Sequence, residues 1–174
     1  MNKVLIVVDM QEDFISGALG TPEARDIVPN VLDKVIEARR SGDMIIFTKD
    51  LHYKEEYCQC VEGAFVPPHC IAEENGHWII PELQPYMDYW ATKSTYGYNY
   101  WKENFHMGLA KADIIELIGV CTDICVISNA LILRSLYPAT PIVVDASCCA
   151  GTQPALHNMA LQVMKSCSIE VINE

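Results

Sequence analysis

Cys125 stands in the stretch Gly119-Val120-Cys121-Thr122-Asp123-Ile124-Cys125-Val126, where an apolar run ends, a turn follows and a helix is expected to begin. A cysteine in the first turn of a helix meets unpaired backbone N–H groups and the positive end of the helix dipole. Both favour thiolate over thiol, and the N–H groups can hold an oxyanion. Burial as a small hydrophobe is the ordinary alternative for a single cysteine. Asp9 and Lys93 add to it, because each also follows a short strand-like run. A carboxylate can take the thiol proton, the thiolate can attack a carbonyl, and the acid can return the proton to a leaving amine. A lysine beside them balances both anions. The three together suit amide hydrolysis, whereas alone the aspartate reads as a helix cap and the lysine as a solvated surface group.

A second set of side chains has the chemistry of a metal site. Asp50-Leu51-His52 puts a carboxylate and an imidazole on one side of an extended segment, since residues i and i+2 share a face. Val66-Pro67-Pro68-His69 adds another imidazole on a stiff turn. Two histidines and a carboxylate with open positions suit zinc or iron(II). Cys58-Gln59-Cys60 competes with this set, but no second cysteine pair stands at zinc-ribbon spacing. Cys148, Cys149 and Cys167 lie beside strand and helix ends, where packing accounts for them.

The elements that must position these groups alternate. Val4 to Val8 is a continuous β-branched run, as in a strand buried on both faces, and Met44 to Phe47 reads as a second such strand. Tyr89 to Thr92 is a short strand delivering Lys93, and Ile114 to Val120, Pro141 to Val144 and Ile169 to Ile172 complete the set. Between them, Val28 to Ser41 has helical periodicity with Gly42 as its stop. Tyr98 to Met107 is expected as a helix showing Tyr100, Trp101 and Phe105 on one side. Thr122 to Leu136, apolar nearly all round, should be a deeply packed one. A last helix, capped by Thr152, would turn Leu156, Met159, Ala160, Val163 and Met164 inward. Leu51 to about Pro85 has no clean periodicity, and a segment that long is usually functional. The pattern implies a single-domain α/β fold over residues 1–174, a Rossmann-like three-layer sandwich with a central, mostly parallel sheet flanked by helices. Ligands of such sheets bind beyond the carboxyl ends of the strands. Asp9, Asp50, Lys93 and the turn before Cys125 all follow strands and should converge there.

The 174 residues, 51% of them hydrophobic, suffice for one sizeable core. The net charge of -11, with no basic cluster, argues against nucleic acid as a partner. No apolar run is long enough to span a bilayer, and the run before Asp9 is too short for a secretory signal. Eight cysteines without such a signal are read as reduced thiols in a cytoplasmic protein.

With these residues in view, the sequence resembles the isochorismatase-like cysteine hydrolases, and among them the nicotinamidase branch. Three motifs carry the resemblance in order along the chain: Val7-Val8-Asp9-Met10-Gln11-Glu12-Asp13-Phe14, the lysine of Ala91-Thr92-Lys93, and Gly119 to Val126. It implies a catalytic triad of Asp9, Lys93 and Cys125, an oxyanion hole made by the amides of Cys121 and Cys125, and a non-proline cis peptide between Val120 and Cys121. It implies a divalent metal, zinc foremost with iron or manganese also suited, on Asp50, His52 and His69, with Glu62 as a candidate fourth ligand. The substrate would be a small amide, nicotinamide above all, and the protein a homo-oligomer. Nicotinamidases usually carry an aromatic residue just before Pro-Pro-His to stack on the pyridine ring, where this chain has Val66. Phe14, Phe65, Tyr96 or Tyr100 would then supply the wall. Two other readings stay open: an amidase acting on another small amide or carbamoyl compound, and a non-catalytic thiol or zinc-binding module.

Overall fold

The computed structural model describes residues 2–174. In chain order the elements are β1 (Lys3–Val8), α1 (Glu12–Ile15), α2 (Pro22–Asp26), α3 (Val28–Ser41), β2 (Met44–Asp50), α4 (Lys54–Tyr57), β3 (Tyr89–Lys93), α5 (Trp101–Leu109), β4 (Ile114–Val120), α6 (Ile127–Leu136), β5 (Ile142–Ala150), α7 (Pro154–Ser166) and β6 (Glu170–Ile172). The six strands form one sheet in the order β3-β2-β1-β4-β5-β6, and every pairing is parallel. The chain steps outward from β1 to β3 and then crosses back to lay β4 on the other side of β1. That reversal opens a crevice at the carboxyl ends of β1 and β4, the place where such sheets bind ligands.

Alternation along the strands divides the core between the two faces of the sheet. Val4, Ile6 and Val8 pack with Leu117, Val126, Ala130 and Leu133 on one side, and Leu5 and Val7 pack with Phe47, Val31 and Val35 on the other. Each fully buried valine, leucine or isoleucine contributes about 2 kcal/mol by transfer from water, so the sheet is a rigid platform for its loops. At Gly119 the backbone has φ +116 and a Cβ would collide with the Val8 carbonyl oxygen, so glycine lets the ends of β1 and β4 close together. No helix among the described residues is long and apolar enough to cross a membrane.

The segment after β2 keeps to the expected lack of periodicity, holding only the short α4 and 3-10 turns at Glu62–Ala64, Asn75–His77 and Gln84–Tyr86. Several local expectations are corrected. The stretch from Thr122 is not a regular helix from its start, because Thr122–Val126 forms a π turn before α6 begins. Thr152 does not cap α7. Gln153 flanks its start, Pro154 occupies the first turn, and the Thr152 hydroxyl donates to Asp123 instead. The buried side of α7 is Ala160, Leu161 and Met164, while Leu156, Met159 and Val163 face outward. Apolar residues run around more than one face of this helix, and its seat against β5, β6 and α6 selects which of them is covered. In α5, Trp101 is buried whereas Tyr100, just before it, is 61% exposed.

Candidate active site

Asp9 follows the last residue of β1 with a left-handed backbone, φ 49, which aspartate tolerates better than most residues. Its carboxylate is fully buried and accepts a hydrogen bond from Thr48 Oγ1 at 2.6 Å, while its own N–H meets the same hydroxyl at 3.2 Å. Lys93, at the end of β3, reaches across β2 so that Nζ lies 2.6 Å from Asp9 Oδ2 and 3.4 Å from Asp50 Oδ1. The same ammonium stands 3.6 Å from Cys125 Sγ. Three strand ends and the π turn thus deliver their side chains to one point.

The charges are shaped by burial. Desolvation raises the Asp9 carboxyl above its ordinary range despite the opposing pull of Lys93. Burial likewise pushes the Cys125 thiol well up, more than the Lys93 charge brings it down. Burial thus opposes the thiolate preference expected of a helix start, because the π turn places the sulfur inside the core cluster and not at a solvated helix end. Lys93 loses by desolvation but gains more from Asp9, Cys125 and Asp50, so it stays a cation. In Asp50 desolvation is outweighed by Lys93 and the two histidines, which hold the carboxyl well below the usual range.

Asp50, His52 and His69 present one donor atom each within 4.8 Å of one another, all buried. His52 Nε2 and His69 Nε2 both face Asp50 Oδ2, at 3.0 and 3.2 Å. The other nitrogen of His69 lies 2.9 Å from the Pro67 carbonyl oxygen and 3.3 Å from Tyr57 OH, which orients the ring with Nε2 toward the cluster. Two imidazoles and a carboxylate turned to a common point fit a divalent cation. Glu62 Oε1 is 3.8 Å from His69 Nε2, at the edge of this group. Cys58 and Cys60 do not join it: both are exposed, and the Cys60 thiol donates to the Tyr57 carbonyl.

A cavity of about 270 Å³ opens over these groups. Phe14, Leu19, Val66, Tyr96 and Ile124 form apolar walls, and Asp50, Glu62, His69, Cys121 and Cys125 reach its surface. Phe65 and Tyr100 do not line it. They are 83% and 61% exposed, because the turn ending at Phe65 and the residue before α5 both point outward. The Val120–Cys121 peptide is cis.

Gln11, two residues after Asp9, takes its role only from the tertiary structure. It is fully buried, its amide N–H groups donate to the carbonyls of Asp50 and His77, and its oxygen accepts the Asp50 N–H. It ties the end of β1 to the end of β2. Asn129 does similar work behind Cys125, donating to its carbonyl at 2.8 Å and accepting from Tyr98 N and Trp101 Nε1. A buried amide in an apolar helix was the available signal for it.

The Isochorismatase domain family matches residues 3–174. The chain belongs to the isochorismatase family. The nicotinamidase of Saccharomyces cerevisiae is 25% identical over 99% of this chain and 100% of that protein. Among solved structures, the pyrazinamidase of Pyrococcus horikoshii in complex with zinc is 26% identical, with 100% of both chains covered and a TM-score of 0.83. An N-carbamoylsarcosine amidase from Thermoplasma acidophilum is 30% identical over 98% of this chain and 95% of that one, with a TM-score of 0.78. Family membership thus agrees with the all-parallel sheet and with the crevice in which Asp9, Lys93 and Cys125 meet.

Proposed function

We propose that this family member is a metal-containing cysteine amidohydrolase that converts nicotinamide and water to nicotinate and ammonia. The observation that carries the reading is one cavity that reaches Cys125, with Lys93 and Asp9 packed behind the sulfur, together with Asp50 and His69 of the Asp50, His52 and His69 cluster. Nicotinamidase and pyrazinamidase relatives that match this chain end to end support it.

Asp9 acts as general base for the Cys125 thiol as sulfur attacks the carboxamide carbon. Both groups have raised proton affinities, so proton transfer accompanies attack instead of preceding it. Lys93 stays protonated between the two and balances whichever anion is present. The amides of Cys121 and Cys125 receive the tetrahedral oxyanion, and Asp9 returns its proton to the departing ammonia. Water then hydrolyses the thioester, with Asp9 again as base. Asp50, His52 and His69, with Glu62 at the edge, would hold a divalent ion, for which we propose zinc, and such an ion would supply a Lewis-acid anchor for an aromatic nitrogen of the substrate. Phe14, Val66 and Tyr96 wall the ring. The enzyme is proposed to work in a reducing, cytoplasmic setting in pyridine-nucleotide salvage, with its eight cysteines free.

The test is ammonia release from nicotinamide, set beside a panel of small amides and carbamoyl compounds. Release that disappears in Cys125→Ala and falls on chelation is the expected result. An active Cys125→Ala protein would overturn the mechanism, and a higher kcat/KM for a carbamoyl compound would overturn the substrate.

A further inference from the structure

The π turn bearing Cys125 is gripped from outside by two of its own polar side chains, one reaching to the segment leading into α7 and the other to α7 itself. Asp123 Oδ1 accepts the Thr152 N–H at 2.8 Å, and its Oδ2 accepts the Thr152 hydroxyl at 2.5 Å. Next to it, the fully buried Thr122 shares a 2.8 Å hydrogen bond between Oγ1 and His157 Nδ1. Gly151 makes the approach possible: a Cβ there would stand 2.8 Å from Asp123 Oδ1 and 3.0 Å from the His157 Cα. Cys121, which flanks the turn, adds no side-chain cap of its own. Thr152 also lines the cavity, so the latch joins the turn to a wall of the site.

Asp123 stands between Cys121 and Cys125, whose amide groups lie on either side of it in the chain. We propose that Asp123 is a positioning residue which, by holding Thr152, keeps the Cys121 and Cys125 N–H groups aimed at the oxygen of a tetrahedral adduct on Cys125. This rests on the amidase reading in taking Cys125 as the nucleophile. The physical basis is that oxyanion donors act through alignment. Losing a donor outright costs on the order of a hundredfold or more in kcat, and loosening two of them costs less, about tenfold. A carboxylate that accepts two hydrogen bonds is a stiffer tether than a neutral acceptor.

Two measurements test it. In nicotinamide hydrolysis, Asp123→Ala should lower kcat about tenfold with KM changed by less than about twofold, because the lost interaction belongs to the transition state. Asp123→Asn, which keeps an acceptor for the Thr152 N–H, should recover most of the rate. Thr152→Val should lower kcat and Thr152→Ser restore it, and Asp123→Ala with Thr152→Val should be no slower than Asp123→Ala alone.

The second measurement needs neither turnover nor metal. Pyridine-3-carbaldehyde is added to chelator-treated protein. Sγ of Cys125 bonds to the carbonyl carbon, the C=O π pair moves to oxygen, and the thiol proton ends on that oxygen as a thiohemiacetal. Its affinity, read as protection of Cys125 from iodoacetamide, should fall about tenfold in Asp123→Ala. Folded Asp123→Ala that binds the aldehyde as tightly as wild type overturns the proposal. So does a loss of melting temperature with kcat and aldehyde affinity unchanged. If Asp123→Ala does not fold, the Thr152→Val and Thr152→Ser pair decides by the same readouts. Wild-type protein that releases no ammonia yet shows the aldehyde difference upholds the positioning role and overturns the substrate reading.

Discussion

Lys93 Nζ lies 2.6 Å from Asp9 Oδ2, and both side chains are closed off from solvent. This pair ties the end of β3 to the end of β1 across the intervening β2, and it binds the proposed general base to the ammonium beside the proposed nucleophile, Cys125.

Lys93→Met should therefore be harmful twice over. It leaves Asp9 and Asp50 buried without their shared cation, and breaking such a pair costs about 3–5 kcal/mol. Urea denaturation of the metal-free protein should show that loss, and ammonia release from nicotinamide should vanish. A variant of wild-type stability would mean that the ammonium contributes little to holding the strand ends.

Alkylation of Cys125 reports its resting state. Burial holds the thiol well above its ordinary value, so the thiolate fraction keeps rising through the alkaline range. The rate with iodoacetamide in the absence of substrate should increase about tenfold per pH unit from pH 7 and reach no plateau below about pH 9. A plateau near pH 6 would show a preformed thiolate and make Asp9 unnecessary as the first base.

Metal content should follow the three buried donors. Asp50→Ala, His52→Ala and His69→Ala should each abolish retention of a divalent ion on gel filtration, measured by elemental analysis. Tyr57→Phe removes only the hydroxyl 3.3 Å from His69 Nδ1 and should weaken metal affinity by about tenfold, as expected for an outer partner that orients a ligand. Full metal content in His69→Ala would remove the cluster from the proposal.

Far from the cavity, Asp145 Oδ2 lies 2.6 Å from Lys34 Nζ, and Lys34 also meets the buried Glu116. Desolvation opposes the Asp145 charge, but Lys34, Ser147 and Asn173 together hold its carboxyl below the usual carboxylate range. A depressed carboxyl contributes stability above its unfolded value and loses it as pH falls through the folded one. Lys34, raised by Asp145 and Glu116 against desolvation, contributes below about pH 10.5 and loses that at higher pH. Asp145→Asn should thus cost about 3 kcal/mol near pH 7 and show a shallower fall in stability below pH 4. Parallel acid-unfolding curves for the two proteins would sink this assignment.

The alternation of β-branched runs with helical periodicity was sufficient, by itself, to specify a parallel α/β sheet, because strands buried on both faces read as continuous apolar runs. The chemistry-bearing residues were also legible, since Asp9, Asp50 and Lys93 each end such a run and Cys125 follows a turn after one. Tertiary structure decided what those residues touch. The strand order carries Lys93 over β2 to Asp9, a relation between positions 84 residues apart that no local spacing encodes. It also decided that Cys125 is buried in a π turn, where desolvation raises its thiol, that Phe65 and Tyr100 face solvent while Val66 and Tyr96 meet the cavity, and that α7 buries Ala160, Leu161 and Met164. Thr48, Gln11 and Asp123 were missed for the same reason: their roles lie in hydrogen bonds to distant backbone and side-chain groups. Periodicity records which face of an element is apolar. The neighbours that face will meet, and the charges that burial will shift, exist only once the sheet has brought its strand ends together.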